Sequence, residues 1–338
     1  MKRIISFQWQ ILAGLFLCSS LSAISAFSQS AFSFLNAPAH ARLAALGGVN
    51  ISLTDRDVNL FTNNPALAGD TLDGVASASY QFYIADIGQS TASYQHRFKK
   101  VGSLAFNVQH INYGTIKSYD ASGAELGDFY SGETALTAGK YFQSSAFRFG
   151  VNMKAVFSNL AGYNATALAM DVGGLFIHPK KDVTLALAVK NLGFTLVDYS
   201  DGSSSSLPFD VQLGSTFKPE HMPFRFSITA FNLTDFDVPE VEGEEASTTD
   251  KIVRHLNIGT ELLLGKNVNV LLAYNFQKRQ ELRVAETGGG AGFSLGLSLT
   301  IKNIELVVSR SSYGPQQAAY GFTLAANTKT LLRKRTTI

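Results

Sequence analysis

The chain has 338 residues, of which 46% are apolar and only 16% charged, with a formal net charge of +2. Outside the N-terminus the apolar residues do not gather in long runs, so membrane-spanning helices are excluded, and interleaving with small and polar residues favours strands. The near-neutral balance argues against a nucleic-acid partner, and a single cysteine, Cys18, excludes a disulfide framework or a thiolate metal site.

Residues 1–30 open with Met1, Lys2 and Arg3, continue through a charge-free apolar stretch from Ile11 to Phe27, and end in small residues. This reads as a secretory signal peptide, with cleavage after Ser25 or Ser30; an anchoring helix that stays is the alternative. Losing this leader removes two cations and no acid, so the remaining chain is formally neutral, and it also removes Cys18 and Trp9.

Residues 31–70 differ in character from the rest of the chain. "ALGGVNISLTDRDVNLFTNNPALAG", from Ala45 to Gly69, is too polar for a core helix and too long for a turn. Gly47, Gly48 and the run Asn63-Asn64-Pro65 suit tight turns. Asp55 and Asp57 are polar, while Leu46, Val49, Ile51, Leu53, Val58, Leu60 and Phe61 offer spaced apolar anchors.

From about residue 72 one rhythm takes over. "FSLGLSLTI" places Phe293, Leu295, Leu297, Leu299 and Ile301 on one face and Ser294, Gly296, Ser298 and Thr300 on the other. "VTLALAVKNL" does the same with Val183, Leu185, Leu187 and Val189. Period two is the strand signature. There are about fourteen such segments, near 72–82, 88–98, 101–113, 129–142, 147–158, 163–177, 182–193, 207–218, 222–234, 252–264, 267–278, 291–301, 303–310 and 317–328. Every second connection is short, as in Lys99-Lys100, Gly265-Lys266 and Lys302-Asn303. The intervening ones are mostly long, such as "GTIKSYDASGAELGDFYSG", "GFTLVDYSDGSSSSLP" and "DFDVPEVEGEEASTTDK".

Short turns on one rim and long loops on the other mark an outer-membrane barrel of a Gram-negative bacterium. In lipid every backbone donor and acceptor needs an internal partner, and a closed barrel of strands supplies one. The faces opposite the apolar ones carry Arg148, Lys154, Asp171, Lys190, Asp210, Arg225, Glu261 and Glu305, which belong in a lumen. The expected fold is thus all-β: a transmembrane antiparallel barrel over 71–329, with residues 31–70 plugging the lumen and a basic tail at 330–338. A periplasmic tail or an extra strand is the other reading of 31–70. Tyr80, Tyr94, Tyr130, Tyr141, Tyr274 and Tyr320 lie near strand ends and suit an interfacial girdle or ordinary strand packing.

No convincing catalytic set emerges, so the chain reads as a non-enzyme without cofactor or metal. "GFSLG" has nucleophile-elbow spacing, but Ser294 sits inside an alternating strand rather than at a strand-to-helix turn. "TGGGAGF" reads as a loop. The acidic stretch 235–250 matches no calcium-loop spacing and reads as a solvated loop. Gly173-Gly174 either kinks its strand or eases packing against the plug.

"ARLAALGGVNISLTDRDVNLFTNNPALAG", from Ala41, resembles the N-terminal hatch of the FadL-like barrels, and within them the PorV/PorQ branch, outer-membrane components of the type IX secretion system. Gly47, Gly48, Asp55, Asp57, Asn63, Asn64 and Pro65 carry the resemblance. It implies a barrel that anchors a surface partner within a cargo-attachment complex containing a PorZ-like surface protein, a sortase-like protease and a PorV-like barrel. Partner contacts would then come from loops at 114–128, 194–206 and 235–251, with Tyr119, Asp120, Tyr199, Asp201, Asp237, Glu240 and Glu242 as the candidates. The alternative is a FadL-like transporter of hydrophobic small molecules; a membrane enzyme or an open porin is a third class.

Overall fold

The computed structural model describes residues 31–200, 205–235, 248–282, 290–314 and 317–332. The leader, the end of the basic tail, most of the acidic loop and the start of the "TGGGAGF" stretch lie outside the described residues, as do the candidates Asp201, Asp237, Glu240 and Glu242.

Fourteen strands close into one antiparallel barrel. They are β1 (Val75–Phe82), β2 (Gly88–Phe98), β3 (Gly102–Tyr119), β4 (Glu125–Ser144), β5 (Phe147–Leu160), β6 (Tyr163–Ile177), β7 (Val183–Val197), β8 (Asp210–Phe217), β9 (Phe224–Ala230), β10 (Leu256–Leu264), β11 (Val268–Asn275), β12 (Phe293–Ile301), β13 (Ile304–Gly314) and β14 (Gln317–Asn327). Each pairs with its sequence neighbours, and β1 pairs with β14 from Val75↔Asn327 to Phe82↔Tyr320, so no edge remains unpaired.

Alternation sets the two faces. Leu185, Leu187, Leu295, Leu297, Phe322 and Leu324 point outward and are exposed, whereas Thr184, Ser294, Ser298 and Thr323 point inward and are buried. A closed ladder with an apolar exterior and a polar interior satisfies the backbone within lipid. The charged side chains assigned to the inner wall do face it: Asp171, Asp210, Glu261 and Lys154 are all buried. Among the described residues no helix is long and apolar enough to cross a membrane.

The structure corrects several expected boundaries. The stretch 114–128 is not a loop. Gly114, at φ +77°, sits in a bulge between Asn112 and Thr115, and pairing then resumes from Thr115↔Tyr130 to Tyr119↔Glu125. A glycine that reads as a strand end is here a one-residue irregularity within a longer strand. Strand β7 likewise continues to Val197, into the expected loop 194–206. The strand expected at 267–278 stops at Asn275, whose side chain accepts a bond from the Lys278 amide and starts the short helix Phe276–Glu281. The strand expected at 252–264 begins only at Leu256, after the helix Thr248–Val253.

Residues 31–73 pack against inward-facing side chains around the ring. The helix Ala41–Ala45 lies against β11 to β14 and β1, the 3₁₀ turn Val58–Thr62 against β1 to β3, and the turn Pro65–Leu67 against β4 to β6. Near the N-terminal end of this segment, Phe32, Phe34 and Leu35 pack on Ile111, Ala135, Val156, Ala165 and Ala167. Lower down, Leu46, Ile51, Leu53, Leu60, Ala66 and Leu67 pack on Leu175, Ala186, Ala188 and Leu271. The buried apolar core thus lies between the segment and the wall.

Candidate functional site: the lumen segment and its cavities

The predicted segment residues come together, each for a local reason. After the helix Ala41–Ala45 the chain reverses at Gly47 and Gly48, both in the left-handed region at φ +86° and +92°. That region favours glycine, and space reinforces the choice. A Cβ on Gly47 would lie 2.0 Å from Asn257 Oδ1, and one on Gly48 would lie 3.0 Å from Lys278 Nζ. The carbonyls freed by the reversal are taken up by the wall. Asn257 donates to Leu46 (2.8 Å) and Val49 (2.7 Å), and Asn275 donates to Gly47 (3.0 Å).

Asp57 starts the turn Val58–Thr62 by accepting from the Asn59 amide, and Asn64 starts Pro65–Leu67 by accepting from the Ala66 amide. Asn64 also donates to Ile51 O at 3.0 Å and Gly174 O at 3.3 Å. The wall gives way at these points. Cβ atoms would strike Asn64 Oδ1 at 1.8 Å if placed on Gly173, and the Pro65 backbone at 2.3 Å if placed on Gly150. Gly173 therefore serves packing against the segment, and Gly174 beside it has open space. Asn63 is buried and its Nδ2 has no hydrogen-bond partner.

Asp55 belongs to an ion network that sequence reasoning did not assemble. Arg42, fully buried, meets Asp55 at 2.5 Å and Glu261 at 2.9 Å, with Glu305 at 3.8 Å; Arg225 meets Asp55 at 2.9 Å and also pairs with Glu261. Burial alone would push the Asp55 carboxyl up, but the guanidinium groups of Arg42 and Arg225 outweigh it and hold the carboxyl well below the usual range. Next to it, burial and the Arg42 charge push the His40 imidazole down to about 3. His40 stands 3.8 Å from Asp57, too far for a hydrogen bond, and its neutral ring makes no ion pair there. The sequence places Arg225, Glu261 and Glu305 on the inner wall and Asp55 in the segment, but Arg42, which joins them, carries no signal that singles it out.

The loop candidates divide. Tyr119 is 56% exposed at the tip of β3. Asp120 is committed to its own turn, accepting from the Ser122 and Ala124 amides at 2.8 and 2.9 Å. Tyr199 turns inward rather than outward: it bonds Ser158 at 2.6 Å and stacks on Phe32, with centroids 6.1 Å apart. Of the tyrosines proposed for a girdle, Tyr80, Tyr94, Tyr130 and Tyr320 are exposed, but Tyr141 packs inward on Phe61, Ala68 and Ala105.

Two adjoining cavities open between the segment and the long-loop end. One, of about 340 Å³, is apolar and lined by Phe34, Ile84, Ile87, Ile111, Tyr113 and Tyr313. The other, of about 260 Å³, is mixed in character, bordered by Asn63, Lys190, Asp210, Gln212 and Lys278 together with Leu43, Val49 and Phe231. Ala37, Tyr83 and Tyr313 border both. A third cavity, of about 270 Å³, lies at the short-turn rim between Arg56, Lys266, Lys302 and Glu305. Asp55 and Glu305 of the Arg42 network also line this third cavity.

No family model and no curated protein matches this chain. Among solved structures it is similar to a deletion mutant of TodX, a monoaromatic hydrocarbon channel, at 12% identity and TM-score 0.51, over 85% of this chain and 97% of that one. A FadL homologue from Pseudomonas aeruginosa aligns at 10% identity and TM-score 0.48, over 85% and 98%. At such identity the likeness is one of architecture: the chain shares the closed-barrel fold of that hydrocarbon channel, in agreement with its closed ring of fourteen strands.

Proposed function

We propose that this protein resides in the outer membrane and takes up small, largely apolar molecules at its long-loop end, with residues 31–73 acting as the plug that controls passage. The apolar cavity of about 340 Å³ carries this reading. It opens where a solute would arrive, and it is walled jointly by the segment (Phe34), the β1–β2 loop (Ile84, Ile87) and the barrel (Ile111), so a movement of the segment would alter it. Concave, mostly apolar sites with a few polar groups are what such ligands require. Uptake of a fatty acid and of toluene by cells carrying only this barrel tests the reading. Uptake is expected, and Ile84→Glu should reduce it severalfold; cells that take up no more than barrel-free controls would sink it.

A second reading has its own support. Above Asn112 and Gly132, β3 and β4 pair only with each other, forming a free hairpin that ends in exposed Tyr119 and carries Tyr130, 71% exposed. A projecting arm with exposed tyrosines suits a docking role, as an anchor for a surface protein of the type IX secretion system would require. Cross-linked pull-down after mild detergent extraction tests it. Surface proteins should be recovered with cross-links on 115–130, and a barrel that comes out alone removes the reading.

A further inference from the structure

The mixed cavity of about 260 Å³ holds unmet hydrogen bonds of a consistent kind. Lys278 Nζ, Tyr83 Oη and Asn63 Nδ2 are buried donors without partners, and Gln212 Oε1 is a buried acceptor without one; all four residues line this cavity. The acids beside them have partners of their own, although Glu281 also favours the charged form of Lys278. Asp210 accepts from the Asn232 amide (2.7 Å) and from Gln212, and Glu281 accepts from Gln277 at 2.7 Å. The Lys278 ammonium also lies 5.3 Å from the centre of the Tyr313 ring, which stands edge-on to Tyr83 at 6.4 Å. Amide side chains from Asn36, Asn50 and Asn232 share the rest of the lining with Leu43, Val49 and Phe231.

A buried donor left unsatisfied costs free energy, and three donors facing one acceptor define the complement. We infer that this cavity binds a small hydroxylated anion, a sugar acid or sugar phosphate, whose acid group meets Lys278 and whose hydroxyls meet Tyr83, Asn63 and Gln212. An apolar chain is the wrong partner, because it would leave every one of those groups unmet. At about 260 Å³ the cavity is smaller than the roughly 300–1,000 Å³ of drug-sized sites, which suits a single sugar ring. The two aromatic rings supply apolar faces for its C–H surface. The glycine at position 48 leaves the room in which the ammonium sits. Burial pushes the Lys278 ammonium down to about 8, so it is charged at neutral pH and loses its proton just above.

Binding is independent of passage across the membrane, so the test is an equilibrium one. The full-length barrel in detergent is titrated calorimetrically with glucuronate, glucose 6-phosphate, glucose and laurate. Binding of glucuronate or glucose 6-phosphate is expected, with the better of the two identifying carboxylate or phosphate as the preferred acid group. Glucose should bind at least tenfold more weakly. Lys278→Met should weaken anion binding by tenfold or more, and Tyr83→Phe, a milder change for the fold, by a few-fold. Affinity should fall as pH rises from 7 to 9. The inference is overturned if neither anionic sugar binds, if glucose binds as well as they do, if Lys278→Met folds and binds unchanged, or if laurate alone binds in a Lys278-dependent way.

Discussion

Arg42 is wholly buried, and three carboxylates, Asp55, Glu261 and Glu305, lie within 4 Å of it. Removing the guanidinium leaves the buried Glu261 carboxylate with Arg225 alone, and breaking a buried pair of this kind costs about 3–5 kcal/mol. Arg42→Ala should therefore lower the midpoint of urea unfolding in detergent markedly. The effect should exceed that of Arg97→Ala, whose pairing with Asp70 is exposed and worth about 1 kcal/mol or less. The two neighbouring glycines of β6 make a sharper pair. Gly173→Ala drives a methyl into Asn64 and should cost about 1–3 kcal/mol by overpacking, while Gly174→Ala meets nothing and should be close to neutral. The same unfolding assay compares them. Equal effects would mean that the segment does not pack against β6 through Asn64.

At the scale of elements, the segment and the β3–β4 hairpin have opposite relations to the barrel. The segment is tied to the wall by side chains from many strands, among them Asn152, Ser227, Asn257 and Asn275. The barrel itself closes without it, because β1 starts only at Val75 and pairs with β14. Excising residues 41–69 should leave an assembled barrel whose conductance in planar bilayers exceeds that of the intact protein. Equal conductance would show that these residues do not occlude the lumen. The hairpin above Asn112 pairs only with itself, so trimming 115–128 to a tight turn should leave the unfolding midpoint within experimental error.

For the whole molecule, pH acts through the buried charges. The His40 imidazole sits at about 3 in the folded protein, below the roughly 6.5 of an unfolded histidine. The neutral form is the one that folds, so its contribution is complete above that value and is lost as pH falls from there towards 3, at about 1.4 kcal/mol per pH unit. Asp55, held low, adds a second loss only below the ordinary carboxylate range. Urea midpoints measured at pH 7, 5.5 and 4.5 should fall more, or rise less, in the native protein than in His40→Asn, and the difference between the two is the share of His40. A pH profile identical in the native protein and His40→Asn would contradict a buried neutral His40.

Strand number, the two faces of each strand and the lumen-facing charges were all legible in the sequence. Each follows from a local rule: period two assigns a side chain to a face, and an ion on a lipid-facing surface costs too much to be placed there. The turn residues Gly47, Gly48, Asn63, Asn64 and Pro65 were legible for the same reason, since their backbone preferences are their own. Strand length was less so. Gly114 reads as a stop, and only the pairing partner Tyr130 carries β3 onward. Tyr141 and Tyr199 turn inward because Phe61 and Phe32 meet them there, and neither contact has a sequence signature. The joining of Arg42 to Glu261, 219 positions away, and of Tyr83 to Lys278 across one cavity, was decided by closure of the ring. Alternation along a strand says which way a side chain points, but what it meets there depends on where every other strand has come to lie.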